Sequence, residues 1–380
     1  MSAPRQLYTL AELSRERLAR LLARAEALRS SRRLELLRGQ TVIQLYFAPS
    51  LRTRVSMELA ARQLGAEVVT LVEGSGTWKL ETRDGVRMDG EAAEHLKEAV
   101  GVLGRYGDLL AVRVFPQRRS WEEDSRDPVF AALLRHAPVP VLNLESVLYH
   151  PCQALADLLA ILRAAGGRAD EGAASGPLGG LAPGRIVLCW ADHPRALPVA
   201  VPNSFALAIA QAGWELVIAR PEGYDLPPAV MEQCRALAAL AGGTVEVTAD
   251  REAALEGARF VYAKSWGRLD RYGREAEEIE ERRARGLGRW IVDADAMART
   301  DQAWFMHCLP VRRGGGGERR GAGRAALAGA GAGGESAART EGGAARAAGD
   351  RRLSAVRAAV PVAGASSTGA QMGNGRRCWT

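Results

Sequence analysis

Cysteine is scarce in this chain. Five occur in 380 residues, an odd number without a repeating interval, and that excludes a disulfide framework. A reducing cytoplasm is the compartment that fits. No apolar run approaches the ~18 residues of a membrane-spanning helix, so no membrane partner is expected. The first residues lead into an amphipathic pattern rather than an apolar signal core, which argues against secretion. There is no tandem repeat, no metal-ligand spacing, no Ser-His-Asp arrangement and no GxGxxG after the first expected strand.

Acidic and basic residues nearly balance over most of the chain. The formal net charge is +7, but residues 314–380 hold ten arginines and four acids, leaving +1 for residues 1–313. Nucleic-acid binding by the folded part therefore has little support. The same 67 residues contain 17 Gly and 18 Ala and no Phe, Tyr, Ile or Lys. So few large apolar side chains cannot offset ordering entropy. The segment is expected to be disordered, with at most a short helix over 351–360.

What remains has the composition of a soluble globular protein, with 47% hydrophobic and 25% charged residues, and length suggests two domains. Periodicity predicts a helix over 9–29, opened by a Thr9/Glu12 capping box. Strands over 41–47, 67–71, 109–115 and 139–144 then alternate with helices over 50–64, 91–105 and 121–136. A helix over 152–165 is expected to bridge to a second unit, after a glycine-rich loop at 166–184. That unit has strands over 186–190, 215–219, 244–247, 260–263, 290–292 and 304–306, and helices over 198–211, 228–241 and 251–256. Strands separated by helices imply parallel sheets. The expected fold class is α/β: two parallel-sheet domains, 1–150 and 151–313, joined by a bridging helix, and a disordered tail, 314–380.

Ligands of open parallel sheets bind beyond the carboxyl ends of the strands, and that is where the unusual clusters fall. Pro49 breaks the first strand, and Ser50-Leu51-Arg52-Thr53-Arg54 opens a helix. Free amides and a helix dipole there suit an anion, Ser50 and Thr53 add hydroxyls, and Arg52 adds a fork for phosphate. An ordinary N-cap followed by solvated arginines is the competing reading. Arg113 lies inside an apolar run, where it needs an anionic partner. His150 and Gln153 share one face at a helix start and could hydrogen-bond a small carbonyl and an NH₂ group. Lys264 and Cys308 follow later strands. Cys308 suits a nucleophile or simply a small residue in a tight turn.

Together, Ser-Leu-Arg-Thr-Arg at 50–54, His-Pro-Cys-Gln at 150–153 and His-Cys-Leu-Pro at 307–310 resemble the motifs of the aspartate/ornithine carbamoyltransferase family, over about residues 5–313. The resemblance implies that Ser50, Leu51, Arg52, Thr53 and Arg113 hold the phosphate of carbamoyl phosphate. Arg113, His150 and Gln153 would hold its carbamoyl group, with Cys308 and Leu309 beside them, and His150, Arg113 and Cys308 would serve catalysis. Gly76-Thr77-Trp78, Met88-Asp89-Gly90, Asn143-Leu144-Glu145, Asn203-Ser204 and Tyr262–Gly267 resemble the branch of the family that acts on N-acetylornithine. Glu145, Asn203, Lys264, Leu309 and Ala93 would then bind the acylated amino acid.

Val261 stands where ornithine-specific members carry an aspartate for the α-ammonium group, and an acylated nitrogen needs no such acid. The implied product is N-acetylcitrulline, in arginine biosynthesis. The implied cofactor set is none, and the implied assembly is a homotrimer in which Trp78 enters a neighbouring subunit's site. Ala93 replaces a glutamate that N-acetylornithine enzymes can carry, which leaves N-succinylornithine as an alternative substrate. A catalytically impaired, metabolite-binding paralogue is the other alternative, because residues 314–380 lack the family's closing segment.

Overall fold

A computed structural model describes residues 6–29, 34–167 and 177–310. The expected disorder of 314–380 lies outside the described residues. Two parallel sheets form the frame. The first has the order β2-β1-β5-β6, from β1 (Thr41–Tyr46), β2 (Glu67–Val72), β5 (Leu109–Arg113) and β6 (Val141–Glu145). The second has the order β11-β10-β7-β8-β9, from β7 (Arg185–Trp190), β8 (Glu215–Ala219), β9 (Thr244–Thr248), β10 (Ala258–Lys264) and β11 (Trp304–Met306). A small separate sheet pairs β3 (Leu80–Glu81) with β4 (Glu94–His95). Strands β1, β5, β6, β7 and β10 are buried almost throughout, as strands covered on both faces must be.

The helices are α1 (Arg15–Arg29), α2 (Arg52–Gln63), α3 (Leu96–Tyr106), α4 (Trp121–Asp124), α5 (Pro128–His136) and α6 (Pro151–Ala164) in the first half. The second half has α7 (Ala200–Ala212), α8 (Pro228–Ala241), α9 (Arg251–Leu255), α10 (Glu275–Ala284) and α11 (Ala294–Ala298). Helix α6 does bridge the halves. Leu155, Leu158, Leu159, Ile161 and Leu162 are all buried, and they join Leu109 and Leu142 of the first sheet to Phe205 and Ile209 of α7 in one continuous apolar core. Leu110, Val112, Phe130 and Leu133 build a second core on the other face of the first sheet.

Several expected elements are interrupted, each for a local reason. The helix over 9–29 opens as a 3₁₀ turn, Leu10–Glu12, capped by Thr9. The chain extends at Leu13, and Ser14 then accepts a 3.3 Å hydrogen bond from the Arg17 amide to start α1. The helix over 121–136 divides because Asp127 adopts φ 45° and Pro128 starts a new helix. In place of a helix from 91, β4 is followed by α3, whose first amides are capped by His95 Nδ1 accepting from Lys97 N. The strand expected at 290–292 joins no ladder, although Trp290 O accepts a 2.7 Å hydrogen bond from Asp192 N. Helix α10 escaped the sequence reading because Glu-Ala-Glu-Glu-Ile-Glu-Glu-Arg-Arg-Ala carries almost no apolar periodicity.

Among the described residues no helix is long and apolar enough to cross a membrane. Nor does any group of three or more His, Cys, Asp and Glu among them have the arrangement of a metal site.

Candidate active site

The carboxyl ends of the two sheets meet. Arg52 follows β1, His193 follows β7, Lys264 ends β10 and His307 follows β11. Burial pushes the His307 imidazole down to about 3, and the positive charges of Lys264, Arg52 and His193 push the same way. Arg52, His193 and Lys264, from three other strand ends and both domains, therefore lie near His307, and the arginine and lysine make the spot electropositive. His307 stays neutral there, and its Nδ1 accepts a 2.8 Å hydrogen bond from Leu309 N. That bond shapes the turn through Cys308 and Leu309, where Leu309 sits at φ 55°.

The phosphate-type loop lies at the start of α2 as expected, but Ser50 has a structural duty there. Its Oγ accepts a 3.2 Å hydrogen bond from the Thr53 amide, so that amide is spent on the cap. Thr53 is buried, Leu51 and Arg54 are exposed, and Arg52 turns inward with its Nε buried and without a hydrogen-bond partner among the described residues. Arg113, at the end of β5, is 7% exposed and its Nε is equally unpartnered. A buried guanidinium nitrogen without an acceptor is costly, and an anion between the two arginines would satisfy both.

The other edge of Arg113 faces Glu145, which holds it in a tight buried ion pair. His150 Nε2 stands 3.7 Å from the same carboxylate, and the His150 amide donates to Ser204 Oγ at 2.7 Å. Glu145 is thus the partner of two expected carbamoyl-side groups. The sequence reading had placed it only on the acyl-ornithine side.

One helical turn along α6, Gln153 Nε2 donates to Asp157 Oδ1 at 2.9 Å, which turns the amide oxygen the other way. Tyr262 of β10 is fully buried beside Asp157 and Cys308, and burial raises its phenol far above the ordinary value. Tyr262 therefore lies near both Cys308 and Asp157, the partner of Gln153. Cys308 is half-buried, whereas burial pushes Cys189 and Cys234 up to about 12 and keeps them inert.

Lys264 is 8% exposed, with Nζ donating to Ser265 O at 3.1 Å. Asn203 lies in the first turn of α7, with Nδ2 donating to Leu148 O. Val261 is sealed in the core of β10. Trp78 and Ala93 are not part of this cluster. They are exposed on the separate β3–β4 sheet, where Trp78 Nε1 donates to Glu94 Oε2 at 2.9 Å and Ala93 N to Lys79 O at 3.1 Å.

The sequence reading missed His193 and Asp157, and it gave Tyr262 no role beyond opening the Tyr262–Gly267 motif. His193 follows a strand end, as the other clusters do, and Asp157 lies four residues after Gln153 on a helix, so both carried a usable signal. Tyr262 carried none, because a tyrosine inside an apolar strand is ordinary.

Residues 5–163 match the carbamoyl-phosphate-binding domain of aspartate/ornithine carbamoyltransferases, and residues 199–341 match the Asp/Orn-binding domain. The second match runs past Arg313, where the motif resemblance ended. The chain is 39% identical to an N-succinylornithine carbamoyltransferase of Bacteroides fragilis over 282 residues, 74% of this chain and 78% of that protein. It is 37% identical to an N-acetylornithine carbamoyltransferase of Xanthomonas campestris over 301 residues, 79% and 85% of the two chains. A solved acetylornithine transcarbamylase bound to acetylcitrulline superposes with a TM-score of 0.79 at 32% identity, covering 93% of this chain and 98% of that one. An N-acetyl-L-ornithine transcarbamylase with a glutamate-to-alanine substitution, complexed with carbamyl phosphate and N-succinyl-L-norvaline, also scores 0.79, at 33% identity and the same coverage.

Proposed function

The chain belongs to the aspartate/ornithine carbamoyltransferase family, and from that premise we propose that it carbamoylates the δ-amine of N-acetylornithine. The observation that carries this reading is the pair of buried guanidinium nitrogens without an acceptor, Arg52 Nε and Arg113 Nε, at the carboxyl ends of the neighbouring strands β1 and β5. Phosphate charge would settle between the arginines. His150 and Arg113 would hold the carbamoyl oxygen, and the Gln153 amide oxygen, aimed by Asp157, would accept from the carbamoyl NH₂ group. The neutral δ-amine forms a bond to the carbamoyl carbon, the bond from that carbon to the phosphate oxygen breaks, and the amine proton leaves with phosphate. Fixed donors stabilise the developing oxyanion without reorganising, and holding both substrates in one cleft supplies proximity. Cys308 and Leu309 line the approach of the amine.

Lys264 would pair with the substrate carboxylate, with Glu145 and Asn203 bordering the same subsite. Val261 supplies no carboxylate where ornithine-specific members carry an aspartate, so a free α-ammonium would lack that counter-charge. This favours an acylated nitrogen. N-Succinylornithine is the second reading, and Ala93 favours it, since a small neutral side chain does not repel a second carboxylate. Assembly as a homotrimer with shared sites is part of the same proposal. Leu51, Val55 and Leu59 form an exposed apolar stripe along α2 at i, i+4 and i+8, and Trp78 is 60% exposed. Turnover of ornithine, N-acetylornithine and N-succinylornithine with carbamoyl phosphate tests the reading. Ornithine turned over as fast as the acylated forms would overturn it, and a clear preference for one acyl group chooses between the two substrates.

A further inference from the structure

The loops that follow Arg113 and Lys264 belong to different domains, yet one buried carboxylate holds both. Asp124, at the end of α4, is 5% exposed. Its Oδ1 accepts from Gln117 N at 3.2 Å, and its Oδ2 accepts from Arg118 N at 2.7 Å and from the Tyr272 hydroxyl at 2.6 Å. Gln117 and Arg118 lie in the loop after β5. Tyr272 lies in the loop after β10. Burial and then the Asp124 carboxylate raise the Tyr272 phenol above its ordinary value, so it stays a donor.

Three further features press the two loops together at this point. The Trp121 and Tyr272 rings meet edge to face at 5.3 Å. Gly273 sits at φ 79°, and a Cβ there would come within 2.9 Å of Arg119 O and 3.1 Å of Arg118 O, so glycine is required by both conformation and space. Arg118 holds a left-handed φ of 59°, a conformation costing of order 1 kcal/mol, and its amide hydrogen bond to Asp124 helps maintain it. Its guanidinium reaches across to Ala196 O and lies 3.8 Å from Glu275.

The base of the β10 loop is fixed within its own domain. Trp266 is fully buried, its Nε1 donates to Tyr224 O at 2.9 Å, and Gly267 N donates to Leu197 O at 3.0 Å. Lys264 is therefore set relative to the second sheet by the core, whereas its place relative to Arg113 and Arg52 depends on what joins the domains. We infer that Asp124 is a positioning residue that, through Tyr272, fixes the acyl-ornithine side of the cleft against the carbamoyl-phosphate side. This inference rests on the function proposed above. A near-attack geometry depends steeply on such registration, because small displacements of one reactant cost large factors in rate.

The test is Tyr272→Phe in the full chain, which removes the hydroxyl and keeps the ring against Trp121. Turnover should fall and KM for N-acylornithine should rise, together lowering kcat/KM about tenfold or more, while calorimetric affinity for carbamoyl phosphate stays within twofold. Hydrogen exchange of residues 264–274, measured without substrates, should quicken. Gly273→Ala, which leaves Asp124 and Tyr272 in place but forces their loops apart, should reproduce both effects. In Asp124→Asn, adding Tyr272→Phe should lower kcat/KM little further. Unchanged kcat/KM in Tyr272→Phe, an equal loss of carbamoyl-phosphate affinity, or fully additive effects in the double variant would overturn the inference. Should the wild-type protein turn over none of the ornithine substrates, the proposed function fails. The exchange measurement then decides the inference alone: quickened exchange upholds the latch and unchanged exchange removes it.

Discussion

Replacing Glu145 with glutamine tests whether Arg113 is the phosphate's partner. Arg113 and Glu145 form a buried pair, each about a tenth exposed or less at the side chain. Glutamine keeps an acceptor oxygen and the volume but removes the charge. Hydrogen bonds to charged groups contribute about 1.5–3 kcal/mol each, so the unligated variant should lose about 2–3 kcal/mol. For a protein of this size that lowers the melting temperature by roughly 2–5 °C. Phosphate should then do for Arg113 what Glu145 no longer does. With the competing carboxylate gone, phosphate affinity should tighten about tenfold, or about 1.4 kcal/mol. At inorganic phosphate a hundredfold above the wild-type Kd, the wild type gains about 2.7 kcal/mol and the variant about 4.1 kcal/mol. Melting curves with and without phosphate, backed by calorimetric titration, read this directly. An identical phosphate-induced shift in both proteins would refute the assignment of Arg113 to the anion.

Three other outcomes follow from the same geometry. Arg52→Ala should weaken carbamoyl-phosphate binding by about 2–5 kcal/mol while leaving the fold intact, since its Nε bonds no other described residue; unchanged calorimetric affinity would place the phosphate elsewhere. His307 has a folded-state value of about 3, below its unfolded 6.5, so the unfolded chain takes up the proton first. The stability tied to neutral His307 is complete above about pH 6.5 and is lost as pH falls toward 3, with a slope of up to about 1.4 kcal/mol per pH unit. His307→Asn should flatten urea-denaturation stability between pH 7 and 5, and parallel curves would contradict this. Val55→Glu places a charge in the apolar stripe of α2 and should convert the expected trimer to smaller species in sedimentation experiments; an unchanged assembly would move the interface to another face.

The sequence by itself determined the frame, because a parallel α/β fold writes its strands as apolar runs and its helices between them. The strands ending at Tyr46, Arg113, Glu145 and Lys264 and the bridging helix α6 were legible for that reason. So were the clusters just past those ends, where arginine and histidine among buried neighbours call for an anionic or hydrogen-bonding partner. Elements governed by single residues were harder to read. The left-handed Asp127 that splits α4 from α5 and the polar helix α10 have little periodicity to reveal them.

Tertiary structure alone decided which of these groups meet. Glu145 pairs with Arg113 because β5 and β6 are neighbours and a register shift after Val112 brings Arg113 opposite Glu145. His307 loses its charge because folding buries it and brings Lys264, Arg52 and His193 from three other strand ends near it. Asp124 reaches Tyr272, 148 positions away in the chain, because a domain boundary folds the two loops together. Such pairings depend on distances between elements, and local propensity holds no record of those distances.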